Sequence, residues 1–332
     1  KGFGEAAIAT HITGETLPQT LANLKSTREA LIGRDAADDL RISAELNERL
    51  PKNKSAVAAC ETALLDALTR QARIPLWKFW RGRPCTALVQ GRPRRLITDI
   101  TIVLADLAET ESAVRKSYQQ GFRIFKVKIG CNEDLDCKRV LAVRRLAPRS
   151  VIYLDANQGY SADQTLRFLK ALKRSGVIPQ LVEQPVRKSD WEGLKKVTRL
   201  AGTVVCADES VGSLADARRL IREKAAHAVN IKLMKFGLVQ AREIALLARA
   251  AGIKLMIGGM MESSLAMTAA AHLALGLGGF DYVDLDTPFF IKRGWDRNPY
   301  LNSRGIYDLR KVKSGIGIIP NPKMIMEAQE AF

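Results

Sequence analysis

The sequence predicts an α/β protein built on a parallel (β/α) barrel, and two observations predict it. Eight short runs rich in Val, Ile and Leu alternate with amphipathic helical segments over residues 96–286. Such runs suit strands buried on both faces. Five of them also end in a carboxylate or a lysine: Lys128, Asp155, Glu183, Asp208 and Lys232 follow one another at intervals of 24–28 residues. That interval fits one strand, one helix and two turns. In a closed parallel barrel every strand end lies on one rim, so distant residues would face one another round a single cavity. Eight strands at this spacing favour closure, although an open doubly wound sheet satisfies the periodicity as well.

The elements follow in order. Three helices without intervening strands come first, over 17–31, 36–49 and 54–72, and the stretch 75–84, marked by Pro and Gly, is an exit. Strands are expected at 96–104, 123–129, 151–156, 180–185, 203–209, 227–234, 253–259 and 280–286. Helices are expected between them at 106–119, 134–146, 161–175, 190–200, 213–224, 237–250 and 262–276. Ser161, Ser189 and Ser213 suit helix N-caps, and Gly121, Gly176, Gly202 and Gly252 suit helix ends. The tail, 290–332, holds strand-like and turn-like pieces and a last short helix. The expected division is residues 1–94, a barrel over 95–289, and a tail over 290–332 that rejoins the first part as an α+β domain capping the barrel mouth. The opening KGFGEAA reads as the middle of a strand, which predicts a preceding segment.

Composition bounds the function. The 332 residues suit one large barrel plus a smaller domain. These 332 residues carry no signal-peptide pattern, and their most apolar stretch, 255–280, is interrupted by Glu262, Ser263, Ser264 and His272. It reads as a buried strand and helix, not a membrane span. The five cysteines, at 60, 85, 131, 137 and 206, are odd in number and form no CxxC pair, as expected of reduced thiols in a cytoplasmic protein. The net charge of +17, with basic clusters at 91–95, 144–145 and 173–174, raises a reading of another class: a nucleic-acid-binding or scaffold protein with an inactive barrel. No recognition motif accompanies the charge and aromatics are only 6% of residues, so a solvated basic surface is the better reading.

The residues at the strand ends carry the chemistry. Asp155, Glu183 and Asp208 on one rim would repel one another unless a cation joined them, which predicts a divalent metal with oxygen ligands. Lys126 and Lys128 share one face of an otherwise buried strand, where lysines are costly without partners. Taken singly, Asp155 could be a strand-end cap, Glu183 a loop residue and Asp208 a helix cap. Their matched positions argue for a site.

The set resembles the enolase superfamily. The Lys126-x-Lys128 pair on the second barrel strand, Asp155, Glu183 and Asp208 on the third to fifth, and Lys232 on the sixth are similar to its muconate-lactonizing-enzyme subgroup. Asp284-x-Asp286 on the eighth strand resembles the dipeptide epimerases of the L-Ala-D/L-Glu type, with Thr287 where members often have Gly. The likeness runs from GFGEA at the start through essentially the whole chain. It implies a (β/α)7β TIM-like barrel with a capping domain, and one Mg2+ per subunit on Asp155, Glu183 and Asp208. It implies Lys128 and Lys232 as the acid and base on opposite faces of the substrate, with Lys126 on the substrate carboxylate. Asp284 and Asp286 would hold the ammonium of a dipeptide, while Asn157, Glu209 and Glu262 would orient the ligands from behind. The implied reaction is 1,1-proton transfer at the alpha carbon of the C-terminal residue through an ene-diolate. A lysine base must be neutral, which Mg2+ and Lys126 would favour for Lys128.

The partner implied is a small dipeptide, with a homo-oligomer expected and neither nucleic acid nor membrane. Acidic, hydrophobic and cationic side chains all stay open. N-acylamino-acid racemase and o-succinylbenzoate synthase, which share the two lysines, are the alternatives within the class. Of His11, His227 and His272, none follows the sixth or seventh strand, where the His–Asp dyad of the mandelate-racemase type would sit.

Overall fold

The computed structural model describes residues 1–83, 95–291, 298–323 and 325–326. Cys85, Arg92, Arg94, the boundary expected at residue 94 and most of the expected last helix lie outside the described residues.

Eight parallel strands form one sheet in chain order: β1 (Ile100–Ile102), β2 (Ile124–Lys128), β3 (Val151–Asp155), β4 (Leu181–Glu183), β5 (Val204–Ala207), β6 (Ala228–Lys232), β7 (Lys254–Gly258) and β8 (Tyr282–Asp284). Asp99 N donates to Val283 O at 3.1 Å and brings the first strand against the last. The register sets Lys128, Asp155, Glu183 and Cys206 level across β2–β5, and Lys232, Gly258 and Asp284 level across β6–β8. The sequence periodicity therefore resolves to the near-closed barrel and not the open sheet.

The barrel interior is layered. Tyr153, Leu181, Cys206, Ala228, Met256 and Tyr282 make an apolar floor. The rings of Tyr153 and Tyr282 meet edge-on, centroids 5.5 Å apart, a contact worth about 1 kcal/mol beyond its buried area. In strands the side chains alternate between faces, so the residues two positions further along, including Asp155, Glu183, Asn230, Gly258 and Asp284, form the next layer up. The floor closes that polar layer from below.

Helices surround the sheet: α1 (Leu17–Leu31), α2 (Asp39–Arg49), α3 (Lys54–Gln71) and α4 (Leu76–Gly82) precede it. Outside the strands lie α5 (Leu107–Gln120), α6 (Glu133–Leu146), α7 (Ala162–Arg174), α8 (Trp191–Leu200), α9 (Leu214–Glu223), α10 (Leu233–Ala250) and α11 (Ser264–Leu277). Helix α3 packs along α10, and α4 along α11. The apolar stretch expected as a buried strand and helix is β7 and α11. Among the described residues no helix is long and apolar enough to cross a membrane. Cys60, Cys131, Cys137 and Cys206 are free thiols. Many basic residues, including Arg144, Arg145, Lys173, Arg174 and Arg249, sit in last helical turns, where the helix dipole favours cations.

Four local expectations need correction. The run 96–104 is not one strand. Leu96–Ile97 pairs antiparallel with Ile306–Tyr307 of the tail, and the chain then changes partner at Thr98 and Asp99 before entering β1. Ser161 and Ser213 cap α7 and α9, but α8 is capped by Asp190 and not Ser189, because the Asp190 carboxylate accepts from Gly193 N at 2.8 Å. Helix α10 begins directly after β6, and Gly237, at φ 74°, breaks it after one turn. A Cβ at Gly237 would lie 2.5 Å from Glu61 Oε2, so the break admits the Glu61 carboxylate, which accepts from Val239 N at 3.0 Å. The opening residues 1–9 form no strand. They lie on α3 so closely that a Cβ at Gly2 or Gly4 would stand 2.0 Å from the carbonyl oxygen of Ala63 or Ala59.

Candidate active site

The strand ends bring the predicted lysines and acids together. Lys126 and Lys128 share the cavity-facing side of β2, Asp155 ends β3, Glu183 ends β4, Asp208 follows β5 and Lys232 ends β6. Lys126 Nζ lies 2.6 Å from Asp284 Oδ2, 2.8 Å from Glu183 Oε2 and 3.0 Å from Asp155 Oδ2. Lys128 Nζ donates to Asp155 Oδ2 at 2.7 Å and to Asn157 Oδ1 at 2.6 Å. Lys232 Nζ donates to Asp208 Oδ2 at 2.7 Å. All three acids are buried.

Burial and neighbouring charge pull these groups in different directions. Burial alone would raise Asp155, but Lys126, Lys128 and Lys232 reverse this and hold it well below the usual range. Asp208 follows the same pattern, with Lys232 and Lys235 overriding burial. Glu183 goes the other way: burial, then the charge of Asp155, pushes it up to about 7. Burial would lower Lys126 and Lys232, yet the carboxylates around each hold both above the usual lysine range.

The donor set suits a hard divalent cation: three buried carboxylates from consecutive strand ends are the ligand chemistry of such an ion. Glu183 Oε2 accepts no hydrogen bond, although Lys126 Nζ stands 2.8 Å away. That ammonium is shared with Asp155 and Asp284, so Glu183 is left short of positive charge. Asp155, Glu183 and Asp208 could therefore hold the metal. The close-set acid trio among the described residues is a different one, Asp99, Asp284 and Asp286.

Asn157, at φ 39°, bridges Lys128 and Glu209, accepting from the first and donating to the second at 3.4 Å. Burial, then Asp208, raises Glu209. Glu262 accepts from Met260 N at 2.8 Å and, among the described residues, hydrogen-bonds no lysine or acid of the cluster. Its backbone carbonyl accepts from Thr287 Oγ1 at 2.7 Å, which ties the loops after β7 and β8 together. Asp286 accepts from Thr101 N at 2.6 Å, and burial followed by the charge of Asp284 pushes it up to about 7.

Three contributors escape sequence reasoning. Lys235 Nζ donates to Asp208 Oδ1 at 2.7 Å, and Asn230 Nδ2 to Glu183 Oε1 at 2.7 Å. Both carried a signal: Asn230 shares the face of Lys232 on β6, and Lys235 is a second lysine at the same strand end. Gln184, at φ 31°, accepts from Asp208 N and Ser210 N and so joins the ends of β4 and β5. His272 is structural: its Nδ1 accepts from Trp77 N at 2.9 Å, and its Nε2 faces Ile316 O.

A cavity of about 480 Å3 opens over the cluster. Lys126, Lys128, Lys232, Asp208, Asp284 and Asp286 line its polar side. Its other walls carry the apolar side chains of Ile8 and Ile12 from the opening segment and of Val103, Met260, Met261 and Phe290, with His11, Asn157 and Glu209 as polar neighbours.

A parallel barrel with acids and lysines at its C-terminal strand ends defines a class of enzymes that work a proton beside a metal-held anion. A family model described as enolase C-terminal domain-like matches residues 109–324. The chain is 49% identical over 323 residues to a hydrophobic dipeptide epimerase of Citrifermentans bemidjiense, covering 96% of this chain and 86% of that one. A mandelate racemase/muconate lactonizing enzyme from Roseiflexus sp. superposes with a TM-score of 0.90 at 41% identity, covering 96% of this chain and 89% of that one. A dipeptide epimerase from Enterococcus faecalis V583, solved with Mg and the dipeptide L-Leu-L-Tyr, superposes with a TM-score of 0.86 at 31% identity, covering 95% and 87%. The chain belongs to the enolase superfamily.

Proposed function

We propose that the protein is a Mg2+-dependent epimerase of dipeptides with apolar side chains, moving a proton at the alpha carbon of the second residue. One observation carries the reading. Lys128 on β2 and Lys232 on β6 come from opposite sides of the barrel to one cavity that also presents Asp284 and Asp286. Two-sided proton transfer needs such opposed groups.

Mg2+ held by Asp155, Glu183 and Asp208 would supply positive charge against the substrate carboxylate as the alpha proton leaves. Lys126 adds its own ammonium beside that carboxylate. Lys232, held protonated by Asp208 and Glu183, returns a proton to one face of the alpha carbon. Lys128, the more exposed of the two, takes the proton from the other face. Asp284 and Asp286 receive the ammonium of the first residue by charge-assisted hydrogen bonds. The Tyr153–Tyr282 floor keeps water from entering beneath the reacting carbon.

The substrate class follows from the walls. Val103, Met261 and Phe290 are exposed apolar side chains at the cavity. Clustered exposed apolar surface marks binding sites. The 49% identical relative named for hydrophobic dipeptides agrees. Residues 1–94 and the tail would form the cap, with Ile8 and Ile12 as its contribution to the walls.

The test is a set of L,L-dipeptides in D2O with Mg2+, read by mass spectrometry, each with its N-acetylated form. Free dipeptides with apolar second residues should take up deuterium at the second alpha carbon, acidic ones poorly, and chelation should stop uptake. Equal or better handling of N-acetylated or N-succinyl substrates would replace the reading with N-acylamino-acid racemisation.

A further inference from the structure

Asp99 is 0% exposed, and neither of its carboxylate oxygens has a hydrogen-bond partner among the described residues. It stands at the entry to β1, and one of its oxygens lies within 4.8 Å of an oxygen of Asp284 and of Asp286. The proposed mechanism does not use it. A fully buried carboxylate with no donor is among the costliest groups an interior can hold, so the arrangement calls for an explanation.

The groups around it limit the answer. Lys126 faces it from β2, Tyr153 from β3 and Glu183 from β4, and Asp284 and Asp286 face it from the end of β8. Tyr307 of the tail lies beyond, near Asp286, with its hydroxyl given to Leu285 O. Lys126 is the cation in this set, and its ammonium is already shared among Asp155, Glu183 and Asp284. Three ionised carboxylates behind one shared ammonium would leave net negative charge buried. Clustered acids avoid this by sharing a proton.

We propose that Asp99 is a third acid of the amine-binding corner, a positioning residue that stays a neutral carboxylic acid and donates its hydrogen to the Asp284–Asp286 pair. The proposal rests on the reading that this pair receives the substrate ammonium. Burial, and then the charges of Asp284 and Asp286, hold Asp99 well above the usual carboxylate range, in agreement with the geometry. A donor fixed behind the pair holds its carboxylates in one orientation and keeps oxygens turned to the cavity. Charge does not build up behind the amine, because Asp99 contributes none.

Two variants and one spectrum test it. Asp99→Asn keeps the shape and a donor, whereas Asp99→Leu keeps only the volume. With a free apolar dipeptide such as L-Ala-L-Leu and Mg2+, the Asn variant should stay within about threefold of the parent in KM and kcat. The Leu variant should raise KM about tenfold or more while kcat moves by less than about threefold, because the lost orientation acts on amine binding. Infrared difference spectra of the Mg2+-loaded protein at neutral pH should show a protonated-carboxyl stretch in the parent that Asp99→Asn removes. An unchanged KM in Asp99→Leu, a KM in Asp99→Asn raised as far as in Asp99→Leu, or no protonated-carboxyl band would each overturn the proposal. Should Asp99→Leu fail to fold, a tenfold rise in KM of the Asn variant or the missing band overturns it alone. Equal handling of free and N-acetylated dipeptide by the parent would instead sink the amine-corner reading, while the infrared band would still decide whether Asp99 is neutral.

Discussion

Lys126 Nζ and Asp284 Oδ2 meet at 2.6 Å inside the barrel although 158 residues separate them in sequence. The contact spans β2 and β8, and the same ammonium reaches Asp155 and Glu183. One lysine thus joins the proposed metal acids to the proposed amine corner. Replacing it by Met should leave Glu183 and Asp284 without that ammonium, while Asp155 keeps its pairing with Lys128. Unpairing buried charge costs on the order of 3–5 kcal/mol, so Lys126→Met should lose about that much stability in urea unfolding at pH 8 without metal. The loss should shrink in mild acid, where the carboxylates take up protons. An unchanged unfolding midpoint would show that Lys126 does not hold the cluster.

Asp286 gives the reaction a pH dependence with a definite sign. Burial and Asp284 push it up to about 7, so below that pH it is neutral and accepts an ammonium poorly. KM for a free apolar dipeptide should fall as pH rises through about 7, by up to about tenfold per unit on the acid side. Asp286→Asn should flatten that slope and lower kcat/KM by roughly 30-fold. A parent KM that stays level between about pH 6 and 8 would show that Asp286 is already ionised or does not meet the amine.

Glu61 links pH to stability through the contact between α3 and α10. Burial pushes it up to about 7 from the ordinary glutamate value of 4.5. The folded protein therefore holds a proton that the unfolded chain releases between those values, and stability falls as pH rises through that window. Glu61→Gln removes this dependence. From mild acid to pH 8 the variant should gain on the order of 3 kcal/mol relative to the parent. Parallel stability curves for the two proteins would contradict the assignment.

Much of the barrel was legible because strands buried on both faces leave unbroken apolar runs, and because Lys126, Asp155, Glu183, Asp208 and Lys232 interrupt those runs at matched ends. What was not legible depended on partners. In the run Leu96–Leu104 the polar Thr98 and Asp99 interrupt apolar residues on both sides, but a polar pair does not by itself say that the chain leaves the tail's strand there for β8. Asp99 went unremarked for the same reason. Asp190 displaced Ser189 as a cap because two adjacent residues both suit the role and only backbone direction chooses between them. The apolar walls, and with them the side-chain preference, come from segments as distant as Ile8 and Phe290, which only the closed fold brings together.

The central claim is that Lys128 and Lys232 serve opposite faces of one alpha carbon. Its most direct test is proton exchange by Lys128→Ala and Lys232→Ala with both epimers of one apolar dipeptide, in D2O with Mg2+. Neither variant should epimerise, because each lacks one of the two proton transfers. Each should still exchange the alpha hydrogen of a single epimer, and the two variants should choose opposite epimers. Epimerisation by Lys232→Ala at the parent rate would contradict the account.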